Sequence, residues 1–287
     1  MLRNEAPFGA LRMRHLWVEH DDEQANVDET TVLELAAAMP RHASLTSLGL
    51  NNVRLFTPAA LDAVTAAALA CGLRGLMLKR CSLSPASVPA LVRLIGGGAL
   101  ASIHIDNEHS QLLDEPDAME LADAIAASRT LTRFALGLVD FWSDGVAAAA
   151  VVRALTGHPS VRVLKLAFNE PDDPAAAGAA LGALVAANTP ALQELDMQGS
   201  GFLDAGLGPL FDALPHNTHL RHLECYCTGM TADFARDRFL PAVRANTSLR
   251  KLIASPWWDN EEHGEAPPEV LEAEALVAAR AAAEAAS

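Results

Sequence analysis

The 287-residue sequence has few aromatic residues and few cations. Phe, Trp and Tyr make up 5% of it, and 36 Asp and Glu outnumber 21 Lys and Arg, which leaves a formal net charge of −15. Proteins that bind nucleic acid need clustered Lys and Arg to replace the counterions along the phosphates. The composition therefore disfavours a nucleic-acid partner, and the surplus of carboxylates keeps a large surface soluble.

Cysteine and long apolar runs are scarce as well. The four cysteines, Cys71, Cys81, Cys225 and Cys227, form no C-x-x-C pair, so we expect free thiols in a reducing compartment rather than a zinc site or disulfides. The N-terminus lacks the apolar run of a secretion signal, and the alanine-rich stretch 146–155 is too short for a membrane span. We predict a cytoplasmic protein. Export to a host cell by a specialised secretion system leaves no such mark, and that alternative stays open.

What the sequence has in abundance is one phrase of three leucine-like residues, spaced i, i+3 and i+5, which occurs nine times at intervals of 27 to 32 residues. The nine occurrences are Met13-Leu16-Val18, Leu45-Leu48-Leu50, Leu73-Leu76-Leu78, Leu100-Ile103-Ile105, Leu131-Phe134-Leu136, Val161-Leu164-Leu166, Leu192-Leu195-Met197, Leu220-Leu223-Cys225 and Leu249-Leu252-Ala254. A fixed period of this length is typical of a solenoid, in which each unit buries its apolar face against the next.

The third unit illustrates what each repeat predicts. Leu76 and Leu78 lie two residues apart and therefore point to one side of a strand, whereas Met77 points to the other side. Ser84 and Pro85 then supply a helix cap and a first helical residue. Strands joined by right-handed helical crossovers run parallel. Because a helix is wider than a strand, the stack bends, with its strands on the inside.

The phrase L-x-x-L-x-L-x-x-(N/C)-x-L resembles the leucine-rich repeats of the ribonuclease-inhibitor-like class over about residues 11–258. The resemblance implies an α/β right-handed solenoid, or horseshoe, of about nine β-α units, with a parallel sheet on the concave face and helices on the convex face. The ninth position of the phrase fits the family preference only at Cys81 and Asn169, and it is Glu108 in unit four. We therefore expect a poorly filled side-chain ladder and an irregular horseshoe.

Shorter phrases are similar to bacterial repeats, including those of GALA-type effectors of plant pathogens. They include Ala187-Asn188-Thr189 and Ala245-Asn246-Thr247. That family carries an N-terminal F-box, whereas only about a dozen residues precede the first predicted strand here. We therefore carry over no F-box or ubiquitin-ligase function.

Polar residues mark both ends of the predicted helices. The predicted helix starts are Thr57, Glu115, Ser143, Asp173 and Thr231. Asn188, Asn217 and Asn246 come just before the next strand, where a residue that tolerates the left-handed conformation is useful.

The two ends of the stack need covers, because a terminal repeat would otherwise expose its core. At the start we expect Phe8 and Leu11 to fill this role, and at the end Trp257 and Trp258. Exposure of the tryptophans for binding is the alternative. We divide the chain into a repeat domain, residues 1–265, and a C-terminal helix, residues 266–287, which either caps the stack or docks a partner.

The candidate site is the concave face, where the variable strand positions have no core to fill. Aromatic, Met and Arg residues are favoured as interface anchors, and separate acidic and basic zones suit a complementary protein. The acidic zone is Glu194, Asp196 and Glu224 beside Tyr226, and the basic zone is Arg74, Lys79 and Arg80 near Met77. The full set of candidates is Trp17, Met77, Lys79, Arg80, His104, Asp106, Lys165, Phe168, Glu194, Asp196, Glu224 and Tyr226. For each of them, the alternative is a side chain that a solvated sheet face merely tolerates.

Nothing in the sequence indicates catalysis. The phosphate-binding loop, G-x-G-x-x-G, G-x-S-x-G and H-E-x-x-H motifs are missing. His15 and His104 fall on strands three positions apart, about 14 Å, which is too far for one metal ion. We therefore expect no enzyme activity, no cofactor and no metal.

These observations favour a non-catalytic scaffold that binds a protein partner through the concave face and is itself a monomer. Three alternatives stay open. The chain could be a secreted bacterial effector that acts on a host protein, or a structural solenoid without a partner. It could also be a catalytic activator of the kind found among GTPase-activating leucine-rich-repeat proteins, using Arg12, Arg14 and Asn51–Asn52.

Overall fold

The computed structural model describes residues 15–19, 29–42, 44–52, 57–107, 112–255 and 266–286. Within them, parallel strands form one nine-stranded sheet whose spatial order follows the chain. The strands are β1 His15–Glu19, β2 Ser47–Asn51, β3 Gly75–Lys79, β4 Ser102–Asp106, β5 Arg133–Gly137, β6 Val163–Lys165, β7 Glu194–Asp196, β8 His222–Glu224 and β9 Lys251–Ile253. This confirms the predicted α/β solenoid, and we number each unit by its strand.

Helices return the chain from the end of one strand to the start of the next. They are α1 Glu29–Ala38, α2 Pro58–Cys71, α3 Val88–Gly96, α4 Glu115–Ala127, α5 Gly145–Leu155, α6 Pro174–Ala186, α7 Leu203–Ala213, α8 Ala232–Phe234 and α9 Leu240–Ala245, and α10 Pro268–Ala285 follows the last strand. A π-helical turn, Ala235–Phe239, joins α8 to α9. Leucines from the strands and apolar residues from the helices form one continuous core along the stack.

The strands pair in register, so equivalent residues of successive units stand in rows. Leu48, Leu76 and Ile103 are direct neighbours, and each is at most 2% exposed. One residue further along, Met77 lies between Gly49 and His104 on the opposite face of the sheet. The alternation that the repeated phrase predicts is therefore present in the sheet.

Glycines let α6 and α7 approach each other closely. A Cβ atom on Gly178 would lie 2.0 Å from the carbonyl oxygen of Gly206, and one on Gly182 would lie 2.8 Å from Cβ of Pro209. Glycine inside a helix costs about 0.5–1 kcal/mol relative to alanine. The closer contact between the two helices offsets that cost, and any larger residue at position 178 would force them apart.

Most helix starts follow the sequence pattern. Three predicted caps accept a hydrogen bond from the backbone N–H three residues ahead: Thr57, Asp173 and Thr231. Two predictions are wrong by one residue. Asp114 caps α4, because Glu115 is already the first helical residue, and Asp144 caps α5, because the Ser143 hydroxyl donates instead to the carbonyl of Asp140.

Buried polar side chains tie neighbouring units together at the strand ends. Asn169 is 0% exposed. Its Oδ1 accepts hydrogen bonds from the backbone N–H groups of Val139 and Phe141, at 3.0 and 3.2 Å. Its Nδ2 donates to the carbonyl oxygens of Leu136 and Ala167, at 2.9 and 3.0 Å. One side chain thus satisfies four buried backbone groups.

This ladder is fuller than the sequence pattern predicts. Beside Cys81 and Asn169, the hydroxyl of Ser200 also donates to a buried backbone carbonyl of the preceding unit, whereas that of Thr228 donates within its own unit. In unit four the role falls to Asn107, one residue earlier than the ninth position, whose amide makes two 2.7 Å hydrogen bonds to the backbone of unit three. The expectation of a poorly filled ladder was wrong for units four and seven, because a shifted asparagine and a serine supply the hydrogen bonds there.

A second set of buried polar side chains lies where each helix returns to the next strand. Asn246 is 0% exposed; its Nδ2 donates to the Leu214 carbonyl at 2.8 Å, and its Oδ1 accepts from the Leu249 N–H at 2.9 Å. Asn217 and His158 make equivalent contacts in their own units. These side chains supply hydrogen bonds that the interrupted backbone lacks.

The left-handed conformation predicted for three asparagines is present in one of them. Asn188 has φ 48°, whereas Asn217 and Asn246 have φ −82° and −69°. Asn217 and Asn246 are used for their side-chain amides rather than for their backbone freedom. Their position just before the next strand is as predicted, but the predicted reason, a left-handed backbone, was wrong for both residues.

Helix α10 packs against α9 and β9. Its residues Val270, Ala273 and Val277 are buried. The Glu274 carboxylate accepts hydrogen bonds from the backbone N–H groups of Ala254 and Ser255, at 2.7 and 2.8 Å. These contacts hold α10 against the last unit of the stack.

Replacing Glu274 by glutamine is expected to lower the free energy of unfolding by about 1–2 kcal/mol, because the charge-assisted bonds to two backbone N–H groups weaken. The matched control is Glu272→Gln on the same helix, which removes an exposed ion pair with Arg244 and should cost less than about 0.5 kcal/mol. Urea denaturation measures both, and equal losses would contradict a special role for Glu274.

The expectations for the ends of the stack fall on residues that the structure does not describe. Phe8, Leu11, Trp257 and Trp258 all lie outside the described ranges. In the part of the chain that is described, no helix is long and apolar enough to cross a membrane.

Candidate interaction surface

The face of the sheet opposite the leucines carries the candidate residues in one register. Its central row reads Trp17, Gly49, Met77, His104, Ala135, Lys165, Asp196, Glu224 and Ile253. The structure thus brings most predicted site residues onto one surface. We call the row and the strand residues flanking it the strand face.

His104 sits in the middle of the strand face among cations. Burial, with the charges of Lys79, Lys165 and Arg133 acting in the same direction, lowers the pKa of His104 to about 4. The imidazole is therefore neutral at pH 7. Its neighbour in the same row, Ala135, is small and buried. The side chains of His104 and Met77 therefore rise above the sheet surface at Ala135.

The predicted acidic zone is compensated by a lysine. Lys165 Nζ lies 2.9 Å from Glu194 Oε1 and 3.0 Å from Asp196 Oδ2. Burial raises the pKa of Asp196, which is 2% exposed, although Lys165 opposes the shift. Burial acts the same way on Glu194, but the hydrogen bond and charge of Lys165 outweigh it and hold the pKa of Glu194 below its ordinary value.

His222 and Lys251 complete the network around Glu224. His222 Nε2 is 2.7 Å from Glu224 Oε1, although the two atoms lack the alignment of a hydrogen bond. Lys251 Nζ is 3.6 Å from the same carboxylate oxygen. Burial and the charge of Lys251 lower the pKa of His222, although Glu224 and Glu194 oppose the shift. The zone is therefore an ion-pair network rather than an open acidic patch.

The predicted basic zone contains an acid as well. Lys79 is the direct neighbour of Asp106 in the sheet, and both are half-buried. Arg80 is exposed, has φ 51°, and donates its backbone N–H to the Asp106 carbonyl at 2.7 Å. Arg74 is exposed just before β3.

Exposure separates the predicted anchors. Phe168 is 37% exposed, whereas Tyr226 is only 4% exposed. Tyr226 was expected beside Glu224 on the strand face, but β8 ends at Glu224 and the alternation of side chains ends with it. Asp196 is likewise buried, so neither residue offers more than a small area to a partner. Trp17 lies in β1, and its side chain is outside the described residues.

Comparison with known proteins finds the same architecture in solved structures. No family model matches the chain, and no curated protein matches it. The leucine-rich repeat-containing protein LegL7 from Legionella pneumophila superposes with a TM-score of 0.51 at 15% identity, over 94% of this chain and 91% of that one. The chain has a leucine-rich-repeat fold. The yeast Rad7 and Elc1 complex contains a second match, with a TM-score of 0.50 and 12% identity over 75% of this chain, which spans 54% of the matched chain.

Sequence reasoning missed two partners on the leucine-rich-repeat sheet. His222 and Lys251 are the first residues of β8 and β9, in register with Glu194. The sequence candidates did not include His222 and Lys251, although the fixed repeat spacing predicts that both lie in one row with Glu194.

The described part of the fold brings together neither the histidines considered for a metal site nor the full set of residues named for the activator alternative. Between 15 and 286, in the ranges described, no three His, Cys, Asp or Glu side chains are placed to hold a metal ion. His15 and His104 are on β1 and β4, with two strands between them. Arg12 and Arg14, named for the activator alternative, lie outside the described residues.

Proposed function

We propose that this protein is a non-catalytic interaction module that binds a protein partner along the strand face. The observation that carries the proposal is the continuous in-register row on the face of the sheet opposite the leucines, which includes Met77, His104 and Lys165. Nine strands spaced about 4.8 Å apart give a surface about 38 Å long. A surface of that length suits a folded partner or an extended peptide.

The two halves of the strand face support different parts of such an interaction. In units two to five, Met77 and His104 rise beside the small residues Gly49 and Ala135, which leaves room for side chains of a partner. In units six to eight, the network around Lys165 holds charges at fixed positions. Fixed charges select among partners more than they add affinity.

A cross-linking experiment with matched methionines tests the proposal. Met77 lies on the strand face, and Met119 lies on the opposite, helical side in α4, where it is 49% exposed. A photo-cross-linking residue at position 77 is expected to capture a discrete protein in the native cell, whereas the same residue at position 119 is not.

Met77→Ala and His104→Ala should each weaken binding of the captured protein by about tenfold, as for a central interface residue. Equal capture from both positions, or none from position 77, would refute binding through the strand face.

A further inference from the structure

Charge is divided between the two edges of the sheet. We call the segments that lead from a strand to the next helix the strand-end segments; in units five to seven they are residues 138–144, 166–173 and 197–202. They contain no Lys or Arg, and their carboxylates are Asp140, Asp144, Glu170, Asp172 and Asp173. On the opposite edge, the segments 128–132, 156–162, 187–193, 217–221 and 246–250 contain no Asp or Glu. Their cations are Arg129, Arg162, Arg221 and Arg250.

Helix capping explains only part of this division. Asp144 and Asp173 accept hydrogen bonds at the starts of α5 and α6, where a negative charge also complements the helix dipole. Glu170 and Asp172 are exposed, cap no helix, and make no hydrogen bond or ion pair with the described residues. The fold itself gives these two charges no role.

Phe168 is an exposed aromatic residue in the same strand-end segment as Glu170 and Asp172. It is 37% exposed, and its ring lies so close over the next unit that a Cβ on Gly199 would be 2.3 Å from Cδ1. The Glu170 side chain lies over the same loop, 4.0 Å from where a Cβ of Gly201 would be. Phe168 and Glu170 therefore both lie over the same loop of the next unit, at Gly199 and Gly201.

The backbone conformation at Phe168 is unfavourable for any residue other than glycine. Phe168 has φ 57°, and the equivalent residues Leu138, Gly199 and Cys227 have φ between 53° and 63°. The position requires the left-handed conformation, which costs a residue other than glycine about 1–2 kcal/mol. A strained and exposed aromatic residue is a reason to look for a binding role.

We infer that Phe168, Glu170 and Asp172 bind a Lys- or Arg-rich segment of a protein partner. A cation placed over the Phe168 ring gains from the ring quadrupole, and Glu170 and Asp172 supply the opposite charge. The inference rests on the proposed function, since it assumes a protein partner. It adds the partner's chemistry and a second contact surface at the strand ends.

A labelled peptide that repeats Arg-Leu-Gly tests the inference by fluorescence anisotropy at low salt. It is expected to bind the full-length protein, whereas the same peptide with Glu in place of Arg does not. Phe168→Gly should weaken binding about tenfold with little change in the melting temperature, because the relief of left-handed strain offsets the packing that the ring loses over Gly199. Loss of binding without loss of stability separates recognition from a merely structural role.

Charge reversal supplies the second test. Glu170→Lys with Asp172→Lys is expected to abolish peptide binding, whereas Glu120→Lys with Asp123→Lys on the exposed surface of α4, which changes the net charge equally, is not. No binding by the wild type, equal binding of the Glu peptide, or equal loss in the control would overturn the inference. Met77→Ala should leave peptide binding unchanged, so failure at the strand face and failure at Phe168 are distinguishable.

Discussion

An Asn169→Leu variant is expected to lose about 4 kcal/mol of unfolding free energy, because each buried backbone group left without a partner costs about 1–3 kcal/mol. The substitution removes the acceptor of the Val139 and Phe141 N–H groups and the donor to the Leu136 and Ala167 carbonyls. Leucine has the same number of side-chain heavy atoms with the same branching, so no cavity forms and the loss reports chiefly the missing hydrogen bonds. Urea denaturation measures it.

A graded comparison with Ser200→Ala identifies the cause. The Ser200 hydroxyl accepts the backbone N–H of Asn169 and donates to the carbonyl of Leu166, two groups against the four of Asn169, so its loss should cost about 1–2 kcal/mol. Hydrogen exchange at Val139 and Phe141 should accelerate in the Asn169 variant but not in the Ser200 variant. If the two variants lose the same stability, the side-chain ladder does not hold the units together as the geometry indicates.

A Lys165→Met variant is expected to lose about 3 kcal/mol at neutral pH, because removing one member of a buried ion pair leaves charge without compensation. Asp196 is 2% exposed, and Glu194 shares the same ammonium group. Lys251→Met is the control on the same face. The Lys251 side chain is 57% exposed and 3.6 Å from Glu224, so its removal should cost less than about 1 kcal/mol.

The loss in Lys165→Met is expected to shrink as the pH falls from about 7 to about 5. Burial raises the pKa of Asp196, and Lys165 opposes that shift. Without Lys165 the pKa of Asp196 rises further, so the carboxyl takes up a proton more readily in the folded state. Adding Asp196→Asn should restore most of the stability, whereas an equal loss at both pH values would contradict this account.

In the wild type the two carboxylates respond to pH in opposite directions. The pKa of Asp196 is raised, so its ionisation costs stability as the pH rises from its ordinary value through the folded-state value. The pKa of Glu194 is lowered, so its contribution is present above the ordinary value and is lost as the pH falls through the folded-state value. Because these two effects on stability partly cancel, the pH dependence of the wild type reveals less about the network than that of Lys165→Met does.

Much of the strand face could be predicted from spacing alone. Because the side-chain period of a strand is two, Leu76 and Leu78 had to share the buried face, and Met77 had to lie opposite them. Because each unit adds one strand in register, Met77 had to stand beside His104. The same reasoning failed for Tyr226, since nothing in the repeated phrase marks where β8 ends.

Partnerships among polar groups could not be predicted in this way. Whether Glu194, Asp196 and Glu224 form an open acidic patch depends on where the side chains of Lys165, His222 and Lys251 point, and periodicity does not determine side-chain conformation. The capping residues Asp114 and Asp144 differ from the predicted ones by a single position, a shift that periodicity does not resolve.

The sequence by itself determined the number of units, the direction and order of the strands, and which residues form the core. Burial of leucines at a fixed period allows one stacking, so local pattern and global fold coincide. Only the tertiary structure decided which polar side chains lose their water and which keep it. That outcome depends on contacts between residues about 30 positions apart, such as Lys165 with Asp196, and on loops such as that of Phe168, whose exposure the repeat does not specify.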